Sequence, residues 1–237
     1  MDYELQFLNL PNLFLAVGLI GVGRWLARFK HADEDTKRFL RHALAIGLWL
    51  DELVWHHWNW THGFWSVQTM LPLHVCSVMI WLAGFMLIFK NYRIYEFGYF
   101  LGLGAATQIL LTSYVPLELF FEYQYYQIFI SHGLLITAVL YMTIVEGFRP
   151  TWKSFLRIVI GTNLYMALIF PLNLWLGSNY MFLAYKPVEF ASLLDILPPW
   201  PYYILHMEIL GILVFLLLYL PFAVKDRRAR QAAINPS

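Results

Sequence analysis

The sequence predicts an all-α polytopic membrane protein with seven transmembrane helices, and three observations lead to this prediction. The composition is 60% apolar and 13% charged, which is typical of a chain surrounded mostly by lipid. Seven apolar segments are each about 20 residues long, the length at which a helix crosses roughly 30 Å of hydrocarbon. All but one of the 16 lysines and arginines lie on alternate connections between these segments.

The segments are, in chain order, 11–29, 39–57, 71–89, 97–115, 125–145, 155–176 and 203–224. Basic residues cluster around the first, third and fifth connections and in the tail after the last segment, and only Lys186 falls on the opposite side. Because basic residues collect on the cytoplasmic side, the N-terminus is predicted outside and the C-terminus in the cytoplasm. The acidic start, Met-Asp-Tyr-Glu, lacks the basic region of a cleaved signal, so the first segment is predicted to remain as an anchor.

The chain, residues 1–237, is predicted to form a single domain, because the connections are short and contain no repeat or linker. Connection 177–202 is the longest, contains four prolines and is too hydrophobic to extend freely into water. Irregular backbone near a membrane must be buried in protein or line a wet cavity, so this connection is predicted to form an external cap loop. A net charge of +1 gives no reason to expect nucleic acid as a partner.

Several polar residues are predicted to lie at one depth in different helices. Cys76 is about five residues into the third segment and His132 about seven into the fifth, roughly 8 to 10 Å below the outer interface. The same layer contains residues of the second and fourth segments, namely Asp51, Glu52, Gln108 and Thr112, with His56 closer to the surface. Because polar groups at membrane depth usually face the bundle interior, the sequence predicts a shared cavity open toward the outer leaflet.

Other interpretations of these residues stay open. Asp51, Glu52 and the histidines can be interfacial groups that reach water, or polar contacts between helices. A lone cysteine in a membrane helix is most often a small apolar packing residue.

Cys76 and His132 are the candidate catalytic residues. A nearby imidazole turns a cysteine into a nucleophile, and thiolate attack on an acyl ester gives a thioester. His132 would then protonate the leaving oxygen or deprotonate the acceptor. Candidate oxyanion donors are His74, Gln108 and backbone amides near Cys76, although on an ideal helix His74 points away from Cys76 by about 200°.

The histidines and carboxylates of this layer are also familiar zinc or iron ligands. None of their spacings matches a ligand signature such as HExxH or CxxC. Neither a metal nor another cofactor is therefore predicted.

Short blocks of the sequence resemble one group of membrane proteins. The blocks are LPLHVC at 71–76, SH at 131–132, NYMFL at 179–183, KP at 186–187, SLLD at 192–195 and PWPYY at 199–203. They are similar to the YwaF-like bacterial integral membrane proteins, which are related to the human transmembrane protein 164 acyltransferase family. LPLHVC is the most specific block, and the blocks extend over five of the seven segments.

The resemblance implies a lipid acyltransferase fold, related in layout to the androgen-induced transmembrane hydrolases. The human relative is regarded as transferring fatty acyl chains between phospholipids with a catalytic cysteine. By this resemblance Cys76 would be the nucleophile and His132 its base. Asn179, Asp195 and Trp200 would belong to the external cap or to the mouth of the site.

The predicted function is a membrane-embedded lipid acyltransferase, or acyl-lipid hydrolase, that works through a Cys–His pair near the outer leaflet. Its expected partners are a membrane phospholipid or lysolipid and the bilayer, in a bacterial cytoplasmic membrane. The candidate substrate-binding residues are His74, Asp51, His56, Gln108, Thr112, Asn179, Asp195 and Trp200. The alternative is a non-enzymatic transporter, or a receptor for a small molecule or lipid, with an outward-facing polar cavity. Transfer versus hydrolysis, and the oligomeric state, stay open from the sequence.

Overall fold

The computed structural model describes residues 10–112, 122–187 and 193–234, and this part of the chain contains helices and no strands. The helices are α1 (Leu10–Ala27), α2 (Glu34–Thr61), α3 (Val75–Phe89), α4 (Tyr92–Phe97), α5 (Leu103–Thr112), α6 (Tyr123–Ile144), α7 (Trp152–Leu176) and α8 (Tyr202–Ile234). A π-helical turn, Gly98–Gly102, joins α4 to α5, and 3-10 turns occur at Tyr180–Phe182 and Leu193–Ile196. The all-α class is confirmed for the described residues, and every predicted apolar segment overlaps a helix.

Helix ends lie where the sequence supplies capping residues. At the start of α2 the Asp33 carboxylate accepts a hydrogen bond from the Thr36 N–H at 2.8 Å. Thr151 and Ser154 form a capping box at the start of α7. The same helix ends at Gly177 with a left-handed φ of 64°, a conformation that glycine adopts without a Cβ clash. These caps satisfy terminal backbone groups, so the helices extend past the apolar segments into their polar flanks.

The third helix begins later than the sequence predicts. The predicted segment starts at residue 71, whereas α3 starts at Val75 and has 15 residues, about 22 Å of helix. Pro72 accounts for the difference, because proline lacks a backbone N–H and disfavours helical geometry in the residue before it. Helix α3 is therefore shorter than the roughly 30 Å of a hydrocarbon layer, and irregular backbone precedes it.

The core lies among α2, α3, α6 and α5, together with the π-helical turn that leads directly into α5. Leu48, Ala83 and Val139 come from the first three of these helices and have no exposed surface. Small residues let the helices approach closely. The indole of Trp49 packs on Gly84 and donates its N–H to the carbonyl of Trp81.

Three described helices, α6, α7 and α8, are both long and apolar enough to cross a membrane. Large apolar side chains on the outer faces of the last two are exposed, including Leu168 at 70% and Leu217 at 67%. Lipid is as apolar as these side chains, so such faces are expected of helices that contact it. These helices indicate an integral membrane protein, while the number of spans, their orientation and the identity of the membrane stay predictions.

Ion pairs join the alternate connections at one end of the bundle. Glu146, just after α6, pairs with Arg41 of α2 and, at 2.7 Å, with Lys90 at the end of α3. Arg149 pairs with Asp226 of α8 at 2.6 Å. The first, third and fifth connections and the C-terminal part of α8 therefore lie near one another.

Replacing Glu146 by glutamine is expected to destabilise the fold. The Glu146 side chain is only 6% exposed, and although burial disfavours its charge, hydrogen bonds from Lys90 and Arg41 outweigh burial and lower the pKa of Glu146. Breaking a buried pair by removing one partner typically costs about 3 to 5 kcal/mol, and here the Arg41 charge, whose side chain is 7% exposed, would be left buried without its partner. Thermal unfolding of the purified protein in detergent should show a lower Tm for Glu146→Gln.

The loss of stability in Glu146→Gln should depend on pH. Since the folded-state pKa is lowered, the stabilisation is present above the unfolded carboxyl pKa of about 4.3 and is lost as the pH falls through the lower folded-state value. The Tm difference between wild type and Glu146→Gln should therefore shrink below about pH 4.3. Glu34, whose exposed carboxylate lies 3.5 Å from Lys90, supplies the control, and Glu34→Gln should cost less than about 1 kcal/mol. Equal losses in the two variants would contradict the prediction.

Candidate functional site

A cavity of about 450 Å³ lies between α3, α5, α7 and α8. Its wall is mainly apolar, with side chains such as Leu101, Met166 and Phe215. The polar or reactive side chains in the wall are His74, Cys76, Gln108, Thr162 and Glu208. The structure therefore brings three predicted site residues, His74, Cys76 and Gln108, into one cavity whose size and apolar lining are typical of a ligand site.

The start of α3 places Cys76 at the cavity wall. Cys76 is the second residue of the helix and is half-buried. The N-cap residue, His74, has extended backbone (φ −70°, ψ 147°) and makes no side-chain capping bond. The first N–H groups of a helix lack intrahelical partners, and the partial positive charge there favours an anion. The start of α3 therefore offers backbone donors to an oxyanion formed beside Cys76.

His74 lies in the same wall as Cys76 because it precedes the helix. The ideal-helix angle of about 200° that directed His74 away from Cys76 does not apply, since that angle requires both residues to be helical. The sequence alone places the helix start at residue 71, four residues too early, and so does not reveal this arrangement.

Tyrosine hydroxyls hold the irregular backbone that leads to Cys76. The Tyr180 hydroxyl donates to the carbonyl of Val67 at 2.7 Å and accepts from the N–H of Leu71 at 2.9 Å. The Tyr165 hydroxyl of α7 donates to the carbonyl of Leu73 at 2.9 Å. Unpartnered backbone groups are costly away from water, so these bonds allow the segment before α3 to stay non-helical.

The substitution Tyr180→Phe is expected to loosen this segment. It leaves the Val67 carbonyl and the Leu71 N–H without their partner, at about 1 to 3 kcal/mol for each group that stays buried. Hydrogen exchange followed by mass spectrometry should become faster in peptides that cover residues 66–74. The control is Tyr185→Phe, because Tyr185 is 49% exposed, and this variant should exchange like wild type. Unchanged exchange in Tyr180→Phe would contradict the assignment.

Hydrogen bonding determines the tautomer of His74. Its Nδ1 accepts a hydrogen bond from the backbone N–H of Met181 at 3.3 Å, so in the neutral ring the proton lies on Nε2. The ring also contacts Tyr180 and Phe182, with centroid separations of 5.3 and 5.1 Å. Met181 and Phe182 have left-handed φ values of 58° and 54°, which non-glycine residues rarely adopt and which are concentrated at functional sites. His74 thus offers a donor rather than a proton acceptor.

His132 has the opposite tautomer and is not among the residues that line the described cavity wall. Its Nδ1 donates to the carbonyl of Ile128 at 2.7 Å, which leaves the lone pair on Nε2. Nε2 is buried and has no hydrogen-bond partner in the described part of the chain. Cys76 and His132 are therefore not hydrogen-bonded to each other in this structure, and their pairing stays a prediction. A buried ring nitrogen without a partner requires an explanation, and a role as a base supplies one.

A second polar cluster joins α2 to α6. Asp51 accepts a hydrogen bond from Gln127 at 3.3 Å, and Glu52, only 3% exposed, lies 3.5 Å from Nε2 of His56. Nδ1 of His56 accepts from the indole N–H of Trp65 at 3.0 Å. Within the described residues none of these groups lines the cavity of Cys76, so the single polar layer predicted from depth is divided between two faces of the bundle. Substrate binding by Asp51 and His56 stays a prediction.

Two predicted cap residues support the loop that packs on His74. Oδ1 of Asn179 accepts from the N–H groups of Ala184 and Tyr185, and its Nδ2 donates to the carbonyl of Tyr185 at 2.7 Å. Trp200 donates its indole N–H to the carbonyl of Leu183 at 3.2 Å. These bonds give Asn179 and Trp200 a visible structural role, while substrate contact by either residue stays a prediction.

The remaining predicted residues are less informative. Asp195 lies in the 3-10 turn Leu193–Ile196 and is exposed. The side chain of Thr112 and residues 188–192 of the cap loop lie outside the described part of the chain. No three His, Cys, Asp or Glu side chains in the described ranges are grouped to hold a metal ion.

Glu208 of α8 lines the cavity but was not among the predicted site residues. Its carboxylate accepts a hydrogen bond from the side-chain amide of Asn163 on α7 at 2.6 Å. The available signal was an ionisable residue six positions after the start of α8, inside the last predicted segment, because such residues are rare at membrane depth and often functional.

The model of the TMEM164 family matches residues 5–219 of the chain. Neither curated proteins nor solved structures give a significant match. The matched residues include Cys76, His132 and every polar residue of the cavity wall.

Proposed function

Because the chain belongs to the TMEM164 family, we propose that it is a membrane-embedded lipid acyltransferase that forms a thioester on Cys76. Family membership fits an acyltransferase-like role in a membrane. The observation that carries the proposal is the position of Cys76, at the uncapped start of α3 and in the wall of an apolar cavity. The narrower YwaF-like grouping stays a prediction.

The cavity supports a lipid as the ligand. Its wall is mainly apolar, and its few polar groups, with Cys76 among them, lie at the start of α3 and on α5, α7 and α8. A volume of about 450 Å³ falls within the range of ligand pockets. An acyl chain can occupy the apolar part while its carbonyl meets Cys76, and tails would enter sideways between helices.

The reaction proceeds in two halves. The Cys76 thiol loses its proton, the thiolate attacks the ester carbonyl carbon, the carbon–oxygen bond breaks, and the leaving lysolipid oxygen takes up one proton. A second lysolipid hydroxyl, or water in a hydrolase, then loses its proton as its oxygen attacks the thioester, the carbon–sulfur bond breaks, and the released Cys76 thiolate regains a proton. Backbone N–H groups at the start of α3, and the Nε2 proton of His74, supply donors for the oxyanion of each tetrahedral intermediate.

His132 is the proposed acceptor of the thiol proton, since its Nε2 carries the lone pair. A direct proton transfer needs Nε2 within about 3 Å of the sulfur or a bridging water, so we propose that the bundle closes around the substrate to bring them together. The proposed arrangement in the membrane is seven spans with the N-terminus outside and the cavity toward the outer leaflet.

Transfer of a labelled acyl chain tests the proposal. Purified protein in detergent is incubated with a phospholipid that carries a deuterated acyl chain and with an unlabelled lysolipid. Lipid mass spectrometry should detect labelled diacyl product in proportion to protein concentration. Labelled free fatty acid alone would identify a hydrolase, and no covalent chemistry with any lipid class would favour the transporter or receptor.

A further inference from the structure

Glu208 is the one carboxylate among the described residues that line the cavity. It accepts a hydrogen bond on Oε1 from the Nδ2 of Asn163 at 2.6 Å. The same Nδ2 donates to the carbonyl of Val159 at 2.9 Å, so the amide is held by its own helix as well. No lysine, arginine or histidine in the described ranges lies within ion-pair distance of Glu208, so its charge is not neutralised there. This carboxyl is oriented, faces the cavity and has no structural partner that requires a charge.

Carboxyl groups at membrane depth are rare and mostly take part in function, because hydrocarbon solvates them poorly. Glu208 lies about 9 Å along α8 from its first residue, Tyr202. A surface role does not explain why this carboxyl lines the cavity that contains Cys76, whereas a role in the reaction explains its position.

The other polar groups of the cavity do not accept a proton readily. Gln108 and Thr162 are neutral side chains without a basic site near neutral pH. Nδ1 of His74 is occupied by the Met181 N–H, and its Nε2 already holds the ring proton. Glu208 is therefore the group in the described wall that can take a proton from a bound hydroxyl.

We propose that Glu208 takes the hydroxyl proton of the acyl acceptor and that Asn163 positions its carboxylate, an inference that rests on the proposed acyl transfer. The acceptor oxygen attacks the thioester carbonyl carbon while its proton moves to Glu208. The carbon–sulfur bond breaks, the new ester leaves, and the Cys76 thiolate regains from His132 the proton that it gave up when it was acylated, so Glu208 stays protonated. In the reverse sense, Glu208 gives a proton to the leaving lysolipid oxygen when a phospholipid acylates Cys76.

An activated donor separates this step from formation of the thioester. A fatty acid p-nitrophenyl ester acylates Cys76 with release of p-nitrophenolate, a leaving group that needs no proton. With this donor, Glu208→Gln should form the acyl-enzyme at the wild-type rate, as seen in the burst of p-nitrophenolate and in the intact mass. Transfer of the acyl group to a lysolipid should be slower by about 10² to 10⁴-fold, the usual contribution of a general base.

A second readout is specific to proton transfer. An acidic alcohol such as trifluoroethanol needs less help to lose its proton, so it should deacylate Glu208→Gln with a much smaller defect than a lysolipid does. Asn163→Leu should slow transfer to the lysolipid less than Glu208→Gln, because the carboxylate is still present. Asp226→Asn is the matched control, since it removes a carboxylate from the same helix at the other end of the bundle.

The outcomes separate this inference from the proposed function. If wild-type protein forms no acyl-enzyme, the proposed function fails and the inference fails with it. If Glu208→Gln forms the acyl-enzyme and transfers it to a lysolipid at the wild-type rate, the role of Glu208 alone is overturned. Equal defects with the lysolipid and with trifluoroethanol would also overturn it, because a merely structural change has no reason to depend on the acidity of the acceptor.

Discussion

Protein carrying Cys76→Ser or Cys76→Ala is expected to lose acyl transfer by about 10⁴-fold or more, because both changes remove the nucleophile of a covalent mechanism. Serine keeps the size of the side chain, but its hydroxyl is far harder to ionise than a thiol. Residue 76 of the Cys76→Ser protein therefore forms no anionic nucleophile. Wild-type protein should gain the mass of one acyl chain after incubation with an activated ester, and neither variant should. Intact-protein mass spectrometry measures this directly.

Ser77, the next residue of α3, provides the matched control. Ser77→Ala changes a small side chain at the same helix start and should acylate like wild type. An acyl adduct on folded Cys76→Ala would contradict the nucleophile assignment. If wild-type protein binds several lipid classes but never carries an adduct, a receptor or transporter becomes the better description.

Loss of the His132 imidazole is expected to slow acylation of Cys76 by about 10² to 10⁴-fold, the range for a general base. The physical reason for the slower rate is that the buried Nε2 lone pair of His132, to which no described group hydrogen-bonds, is the proposed acceptor of the thiol proton. The measurement is the pre-steady-state rate of p-nitrophenolate release by His132→Ala. Free imidazole in the buffer should restore part of the rate if the missing group is a base.

A histidine with the same local geometry controls for folding. Nδ1 of His206 also bonds to a carbonyl one turn earlier, that of Tyr202 at 2.9 Å, but the residue is exposed. His206→Ala should acylate at nearly the wild-type rate. His74→Ala should show a different defect from His132→Ala, because it removes a donor to the oxyanion and free imidazole should not restore its rate. A normal rate in His132→Ala would exclude this base and leave activation of Cys76 to the start of α3.

The helices could be predicted well because their signals are local. A run of apolar residues and the charges that flank it both lie within a short stretch of the sequence, and every predicted segment overlaps a helix. The late start of α3 was the main exception. Pro72 indicated it, but an irregular segment at that depth is stable only because Tyr180 and Tyr165, more than 90 residues away along the chain, bond to its backbone.

The site residues stay a prediction, although the structure places some of them together. Cys76, His74 and Gln108 were selected from residue type and depth, and the cavity contains all three. The depth of a residue along its helix does not tell which side of the helix the side chain is on. Depth therefore puts Asp51 and His56 in one layer with Cys76, although Asp51 faces α6 and His56 faces the segment that contains Trp65. Glu208 lies in the last segment, outside the second to fifth segments whose polar residues share one depth, so the depth pattern does not point to it.

By itself the sequence determined the helical class, the approximate positions of the helices and the choice of Cys76 as the residue with the most reactive side chain. These follow from hydrophobic length, capping chemistry and the presence of a single thiol, none of which depends on distant contacts. Only the tertiary structure decided that Cys76 lies at an uncapped helix start, that His74 shares its cavity while His132 bonds within α6, and that Asn163 orients Glu208 toward the same space. The physical reason is that a side chain acquires its partners from the rotation and packing of whole helices, and those are determined by contacts between residues far apart in the chain.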